Sequence, residues 1–380
     1  MIGSEMIYFD NAATSRPDEA SVKQAEKFLL NDFYNPSALY KNGHRIQLEI
    51  KSSAENILQT VADCENFSLI FTSCGTEADN QAVFCAGKRG NVVTTLSEHS
   101  AVFSAVNELK QRGIEVRFAN LTSEGKTDVD HLLSLVDDKT SLVSVIHVNN
   151  ETGAINNIFD IAKRVKAKNK YTLFHSDGVQ AYGKVPFRLT SDIDLYSVSA
   201  HKIGGVKGCG ALIKRKSLVL KPYIYGGGQQ QNLRSGTENV FAIKCFEYAS
   251  LKRYSQIKNN FNKVEQIKTT IISGLDKELF KIISGRGSSP YILCVSAVGL
   301  RGETVMHETD DSGLIIGMGS ACSSNANKRH SRVILACGID ENVADGVLRL
   351  SFSAENTEKE AQTAVDILNG LVKHRKEVMR

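Results

Sequence analysis

The sequence predicts an α/β protein: a large domain built on a mostly parallel seven-stranded sheet, and a smaller α+β domain. Three observations predict it. Between residues 67 and 214, short runs rich in Val, Ile, Leu and Phe alternate with segments of helical period. These runs are apolar continuously rather than at every second residue, the pattern of strands covered on both faces. Beyond about residue 276 the runs become shorter, and the chain closes with an amphipathic helical segment.

Taken in order, strands are expected at 67–71, 92–96, 116–121, 142–148, 172–175, 195–198 and 210–213. Helices are expected between them near 75–87, 100–112, 128–137 and 158–169. Ligands then belong at the carboxyl ends of the strands. Residues 226–239 are rich in Gly, Gln and Asn and read as a loop, and one long helical pattern follows from 240 to 275. Strands at 291–298, 314–318 and 347–352 and a helix from Thr357 complete the smaller part. The expected division is 16–245 for the large domain, and 6–15 with 246–380 for the small one.

Composition narrows the function classes. The chain has 380 residues, 42% of them hydrophobic, with 29 Gly and 5 Pro, which excludes disordered and fibrous proteins. Lys and Arg number 46 against 42 Asp and Glu. The net charge of +4 is too weak and too evenly spread for a nucleic-acid or anionic-membrane surface. The eight cysteines form no CxxC pair and no zinc-type spacing, so no resident metal is expected. Residues 1–5, ahead of Met6, read as an extension outside the fold. Without a charged-then-apolar leader or an apolar run near 18 residues, a cytoplasmic protein with reduced thiols is expected.

Three segments carry chemistry. Ser73-Cys-Gly-Thr-Glu77 follows a strand and opens a helix, so its free N–H groups can hold an anion, with Thr76 adding a hydroxyl. A plain N-cap with Glu77 in the first turn explains the same residues equally well. Lys202, in Leu195-Tyr-Ser-Val-Ser-Ala-His-Lys202-Ile-Gly-Gly, ends an apolar strand among small residues. A desolvated lysine there has a lowered pKa and forms Schiff bases, and Ser199 and His201 beside it can donate to a phosphate. Asp177, in Phe174-His-Ser-Asp177-Gly-Val-Gln180, can hold a ring nitrogen protonated, or can belong to an ordinary Asp-Gly turn.

Eight segments together extend this reading. They are Ile7-Tyr-Phe-Asp-Asn-Ala-Ala-Thr14, Asn35-Pro-Ser37, Phe71-Thr-Ser-Cys-Gly-Thr-Glu-Ala-Asp-Asn80, His147-Val-Asn-Asn-Glu151, Ser199-Ala-His-Lys202, Gly226-Gly-Gly-Gln229, Arg234-Ser-Gly-Thr-Glu-Asn239 and Gly319-Ser-Ala-Cys322. In this order they resemble the motifs of the NifS/IscS-type cysteine desulfurases, of the class V aminotransferase family and of fold type I of the pyridoxal 5′-phosphate (PLP) enzymes. The resemblance covers residues 6 to 372. It implies that Lys202 binds PLP covalently and then moves the substrate proton, and that Asp177 holds the pyridine nitrogen. It also implies that Gln180 and Asn150 bond near the phenolic oxygen, and that His99 stacks on the ring. Gly75, Thr76, Ser199 and His201 would hold the phosphate, with Thr237 reaching in from a second subunit.

The resemblance implies that Asn35 and Arg349 clamp the substrate carboxylate. Arg349 also interrupts an apolar strand, where an anionic partner explains a guanidinium, whether substrate or a carboxylate of the protein itself. Cys322 would be the nucleophile, in a Gly-, Ser- and Asn-rich stretch that reads as a mobile loop at about 320–331. The implied activity converts L-cysteine to L-alanine in a homodimer, leaving a persulfide on Cys322. The acceptor would be an iron–sulfur scaffold or a tRNA-thiolation protein, and Cys322 could ligate a cluster transiently with a scaffold. Serving iron–sulfur cluster assembly, thio-cofactor synthesis or nucleic-acid sulfur modification, the enzyme would contact no nucleic acid directly. The alternatives are a selenocysteine lyase or aminotransferase of the same fold, and a non-catalytic scaffold. The sequence departs from the family at Asn327-Lys-Arg-His-Ser-Arg-Val-Ile, where members usually have a proline and then Ser-His-Val-Leu. Ser100 stands where proline is usual, and Gln230 where glutamate is common.

Overall fold

The computed structural model describes residues 6–319 and 330–378. Seven strands build the main sheet: β2 (Phe67–Thr72), β3 (Asn91–Thr95), β4 (Glu115–Ala119), β5 (Thr140–Ser144), β6 (Leu173–Asp177), β7 (Leu195–Ser199) and β8 (Gly210–Arg215). Their spatial order is β2-β8-β7-β6-β5-β3-β4. Only β8 runs against its neighbours, so the sheet is mostly parallel.

Burial explains why these strands read as continuous apolar runs. Leu69, Val93, Val143 and Phe174 pack against helices Lys41–Gln59, Ile158–Lys168 and Val240–Ser255 on one face. Their neighbours Ile70, Val92 and Leu142, with Leu195 of β7, pack against helices Gly75–Ala86 and Ser100–Gln111 on the other. Adjacent residues point to opposite faces of a strand, so both must be apolar here.

A second core lies around β1 (Ile7–Phe9), β9 (Phe280–Ile282), β10 (Ile292–Ala297), β11 (Leu314–Ile316) and β12 (Val347–Ser351), with helices Ile257–Gly274 and Glu358–Val378. The antiparallel order is β12-β10-β9, and β1 pairs in parallel with β11. Phe9 meets Phe352 edge-on at 5.0 Å, which holds β1 against the end of β12.

The expected single helix over 240–275 is two helices, Val240–Ser255 and Ile257–Gly274, separated at Gln256 (φ −122°, ψ 11°). Each half packs into a different core, so the chain turns between them. In the 226–239 loop, Gln230, Gln231 and Asn232 all have positive φ, at 47°, 61° and 60°. Each such residue costs about 1–3 kcal/mol. Tertiary hydrogen bonds offset part of this: Gln230 accepts from the N–H of Phe71 at 2.9 Å and donates to Glu238 at 3.1 Å. Among the described residues, no helix is long and apolar enough to cross a membrane.

Candidate active site

The carboxyl ends of β6 and β7 and the start of helix Gly75–Ala86 converge on a cavity of about 570 Å3. Small residues make the convergence possible. A Cβ on Gly75 would lie 2.8 Å from Val179 and 3.3 Å from Ser199, and one on Gly210 would lie 2.5 Å from the backbone of Cys74. Residues 74–75 therefore approach β7 and β8 more closely than any larger side chain allows. Cys74, the helix N-cap, makes no side-chain cap. Glu77 accepts from the N–H of Ser73 at 2.8 Å and pairs with Arg234, so its carboxylate turns away from the anion-binding end of the helix.

Lys202 closes a short 3₁₀ turn after β7 and reaches into the cavity. Its ammonium donates to the carbonyls of Ala12 and Ala13, each at 2.7 Å. Burial, aided by the nearby Arg349, lowers its pKa from 10.5 to about 8. Asp177, 3% exposed at the end of β6, accepts from the N–H of Val179 at 2.9 Å. Burial raises its pKa, while His99 and Lys202 work against that rise. His99 caps helix Ser100–Gln111 through Nδ1, which accepts from the N–H of Ala101 at 3.2 Å. In the neutral ring this leaves the proton on Nε2. Burial lowers the pKa of His99, and that of His201 to about 4, so both are neutral near pH 7.

Arg349, on β12, crosses into the same cavity. It donates to Asp10 at 2.7 Å and to the carbonyl of Asn150 at 3.1 Å, and its buried Nε has no partner. The protein salt bridge weighed from the sequence is therefore real, and a donor is still left over. Gln180 donates to the Ala12 carbonyl at 2.9 Å and accepts from the buried Lys184 at 2.8 Å.

A family model for class-V aminotransferases matches residues 7–363. The chain belongs to the class-V aminotransferase family. A relative named cysteine desulfurase IscS, from Clostridium botulinum, is 32% identical over 99% of this chain and 96% of its own. A solved NifS-like protein has a TM-score of 0.90 at 31% identity, covering 97% of this chain and 100% of its own. A structure described as SspA in complex with cysteine has a TM-score of 0.79 at 26% identity, covering 92% and 100%.

Class-V aminotransferases of the desulfurase type depend on PLP. The residues present fit that cofactor. Ser199 Oγ is buried without a partner beside the uncapped helix end, which suits a phosphate. Lys202 and Asp177 supply an amine of lowered pKa and a buried carboxyl in the same cavity. Gly75, Thr76, His99, Asn150, Gln180, His201 and Arg349 also line it.

Two expected residues do not line it. Thr237 and Asn35 are exposed on segments beside a separate groove that Pro36, Ser37 and Glu238 line, and Asn35 accepts from the N–H of Ser37 at 2.9 Å. Within one chain, Asn35 is thus not paired with Arg349. Cys322, and the expected loop up to residue 329, lie outside the described residues.

Several cavity residues were not singled out from the sequence, among them Asp10, Asp79 and His307. Asp10 and Asp79 lie inside quoted motifs, but nothing local marks them as facing a site. Asp79 is 1% exposed, and burial with the neighbouring Asp177 pushes its pKa well above the usual carboxylate range. Asp79, His99 and Asp177 have ligand atoms within 4.8 Å of one another, the only such group among the described residues. All three line the cavity that holds Lys202.

Proposed function

We propose that this class-V aminotransferase is a PLP-dependent cysteine desulfurase that turns L-cysteine into L-alanine and keeps the sulfur as a persulfide on Cys322. The observation that carries the proposal is one cavity holding Lys202, Asp177 and an Arg349 with an unpartnered Nε, in a chain 32% identical to a named cysteine desulfurase.

Lys202 would hold the cofactor covalently, with Asp177 toward the ring nitrogen and Ser199, His201, Thr76 and the N–H of Gly75 around the phosphate. When bound, PLP supplies an electron sink for the Cα of the amino acid. Arg349 orients the substrate by its carboxylate, because Asp10 and the Asn150 carbonyl fix the guanidinium while Nε stays open. Lys202, with its pKa near 8, is a base of suitable strength to take the Cα proton and return one. His99 presents Nε2–H and acts as a donor, since its Nδ1 is occupied by the helix cap. Gln180, its amide fixed between the Ala12 carbonyl and Lys184, would bond near the cofactor's phenolic oxygen.

In the transfer step the Cys322 thiolate attacks the substrate sulfur. An S–S bond forms, the Cβ–S bond breaks, and Cβ takes a proton, so that cysteine and one protein thiol become alanine and one persulfide.

The reading also takes the protein as a cytoplasmic homodimer. Thr237 is exposed and away from its own cavity, which suits a contact with the phosphate in a second copy. Residues 16–245 would form the cofactor-binding unit, and 6–15 with 246–380 the unit carrying Cys322, which delivers sulfur to an acceptor protein. The test is PLP-dependent alanine formation from L-cysteine by the native chain and by Lys202→Ala. The native protein should be yellow and active and the variant colourless and inactive; alanine production by the variant at the native rate would overturn the assignment.

A further inference from the structure

The chain leaves the Cys322 segment through residues held by three separate contacts. His330 Nε2 lies 2.6 Å from Asp345, and Ser331 donates to Glu151 at 2.5 Å. Arg332, the first residue of helix Arg332–Ala336, reaches back over 230 residues in sequence. Its guanidinium donates to the carbonyl of Leu96 and, at 2.8 Å, to that of Glu98. The ring of Phe103 lies 3.7 Å beneath its Cζ.

The Arg332 contacts bear on one short turn, Leu96-Ser97-Glu98-His99. The Ser97 carbonyl accepts from Asn149 at 2.8 Å, so each of the three carbonyls before His99 is held by a side chain. From the other side, the Glu98 carboxyl accepts from Thr95 and from the N–H of Ile146, both at 2.9 Å. The backbone that carries His99 thus has little freedom to turn, and one guanidinium supplies two of its constraints.

Arg332 is not needed to start its own helix, because Ser331 already caps it by accepting from the N–H groups of Val333 and Ile334. A half-buried guanidinium on two carbonyls and a ring face is costly unless those contacts are well formed. The contacts also depend on arginine itself. Its parallel N–H fork can serve two neighbouring carbonyls, whereas an imidazole points its nitrogens apart and a neutral one donates only once. This position is one of the departures noted above, where the resembling family usually carries histidine.

We propose that Arg332 is a positioning residue for His99: its two-carbonyl clamp, stacked on Phe103, sets how the imidazole meets the cofactor and ties that setting to the exit of the Cys322 segment. The proposal rests on the reading that PLP seats against His99. It assigns Arg332 no contact with substrate.

A double-mutant cycle tests it, on purified full-length protein without L-cysteine. The readouts are the absorption maximum of the bound cofactor and the dissociation constant from titrating apoprotein with PLP, with apoprotein melting as a check on folding. Arg332→Ala should shift the band and weaken PLP binding about tenfold, the size expected for losing a charge-assisted contact. Arg332→Lys, which keeps the charge but not the fork, should fall between. In a His99→Ala background, Arg332→Ala should add less than about a twofold further loss, because both substitutions act on the same group.

Effects that multiply fully in the double variant, or an unchanged band and affinity in a folded Arg332→Ala, would overturn the proposal. Should Arg332→Ala fail to fold, Arg332→Lys and Phe103→Leu carry the same test, and unchanged readouts in both would refute it. If His99→Ala itself moves neither readout, the seating of PLP on His99 is wrong and the proposal falls with it. That outcome is distinct from one in which only the Arg332 variants are silent.

Discussion

Substituting Gly317 by alanine isolates the substrate-binding role of Arg349 without touching either charged residue. Gly317 sits opposite Arg349, with their backbones exchanging hydrogen bonds of 2.9 and 2.8 Å. A Cβ at this position would lie 2.6 Å from Asp10 Oδ1, 2.8 Å from Arg349 Nη2 and 3.3 Å from Nε. Ordinary contact begins at 3.4 Å, so the first two atoms must each retreat by about 0.6–0.8 Å. Asp10 Oδ1 and Arg349 Nη2, bonded to each other at 2.7 Å, must both move, so the guanidinium leaves its present orientation. A hydrogen bond of this charged kind contributes about 1.5–3 kcal/mol. If half of that is lost from the orientation of the guanidinium, KM for L-cysteine rises about 4- to 12-fold, and full loss gives about 12- to 150-fold. The assay is alanine formation against L-cysteine concentration, with the cofactor band recorded on the same sample. The band should be unchanged, since the methyl faces the Arg349 side of the cavity. A KM within twofold of the native value, with the band intact, would refute the reasoning that Arg349 is held by Asp10 for the substrate carboxylate.

Two further outcomes follow from the titrating groups. The pKa of Lys202 near 8 means that the apoprotein's reactive neutral amine is half formed at about pH 8 and nearly complete about one unit above it; the initial rate of PLP reincorporation, read by absorbance, should rise with a midpoint near pH 8 and then flatten, and a midpoint near pH 10 would contradict the lowered value. Glu98 has its pKa raised from 4.5 to about 8 by burial, so between those values the native state holds a proton that the unfolded chain has lost, and stability falls as pH rises. Glu98→Gln should therefore gain more in melting temperature at pH 9 than at pH 6. An equal change at both would show that Glu98 is ionised in the native protein.

The main sheet was legible in the sequence because its strands are buried on both faces, so that pairs such as Leu69–Ile70 and Val92–Val93 leave unbroken apolar runs. Nothing in residues 210–215 marks β8 as antiparallel, since strand direction depends on partners and connections rather than on side chains. Helix Lys41–Gln59 went unread although Ile46, Ile50, Ser53 and Ile57 line its buried side at helical spacing; its many charged residues hid the stripe. Lys202, Asp177 and Ser199 were readable because polar residues at strand ends among small neighbours are unusual. Asp79 is inside a helix, and Arg332 finds its partners more than 230 residues upstream, so their roles exist only after folding.

Persulfide formation on Cys322 is read directly from the mass of the Cys322 peptide after the holoenzyme meets a limiting pulse of L-cysteine with no acceptor present. Cys322 should gain one sulfur atom, removable by a thiol reductant, with one alanine formed per sulfur retained. Alanine formed at the native rate while Cys322 stays unmodified, or equally fast in Cys322→Ser, would contradict it.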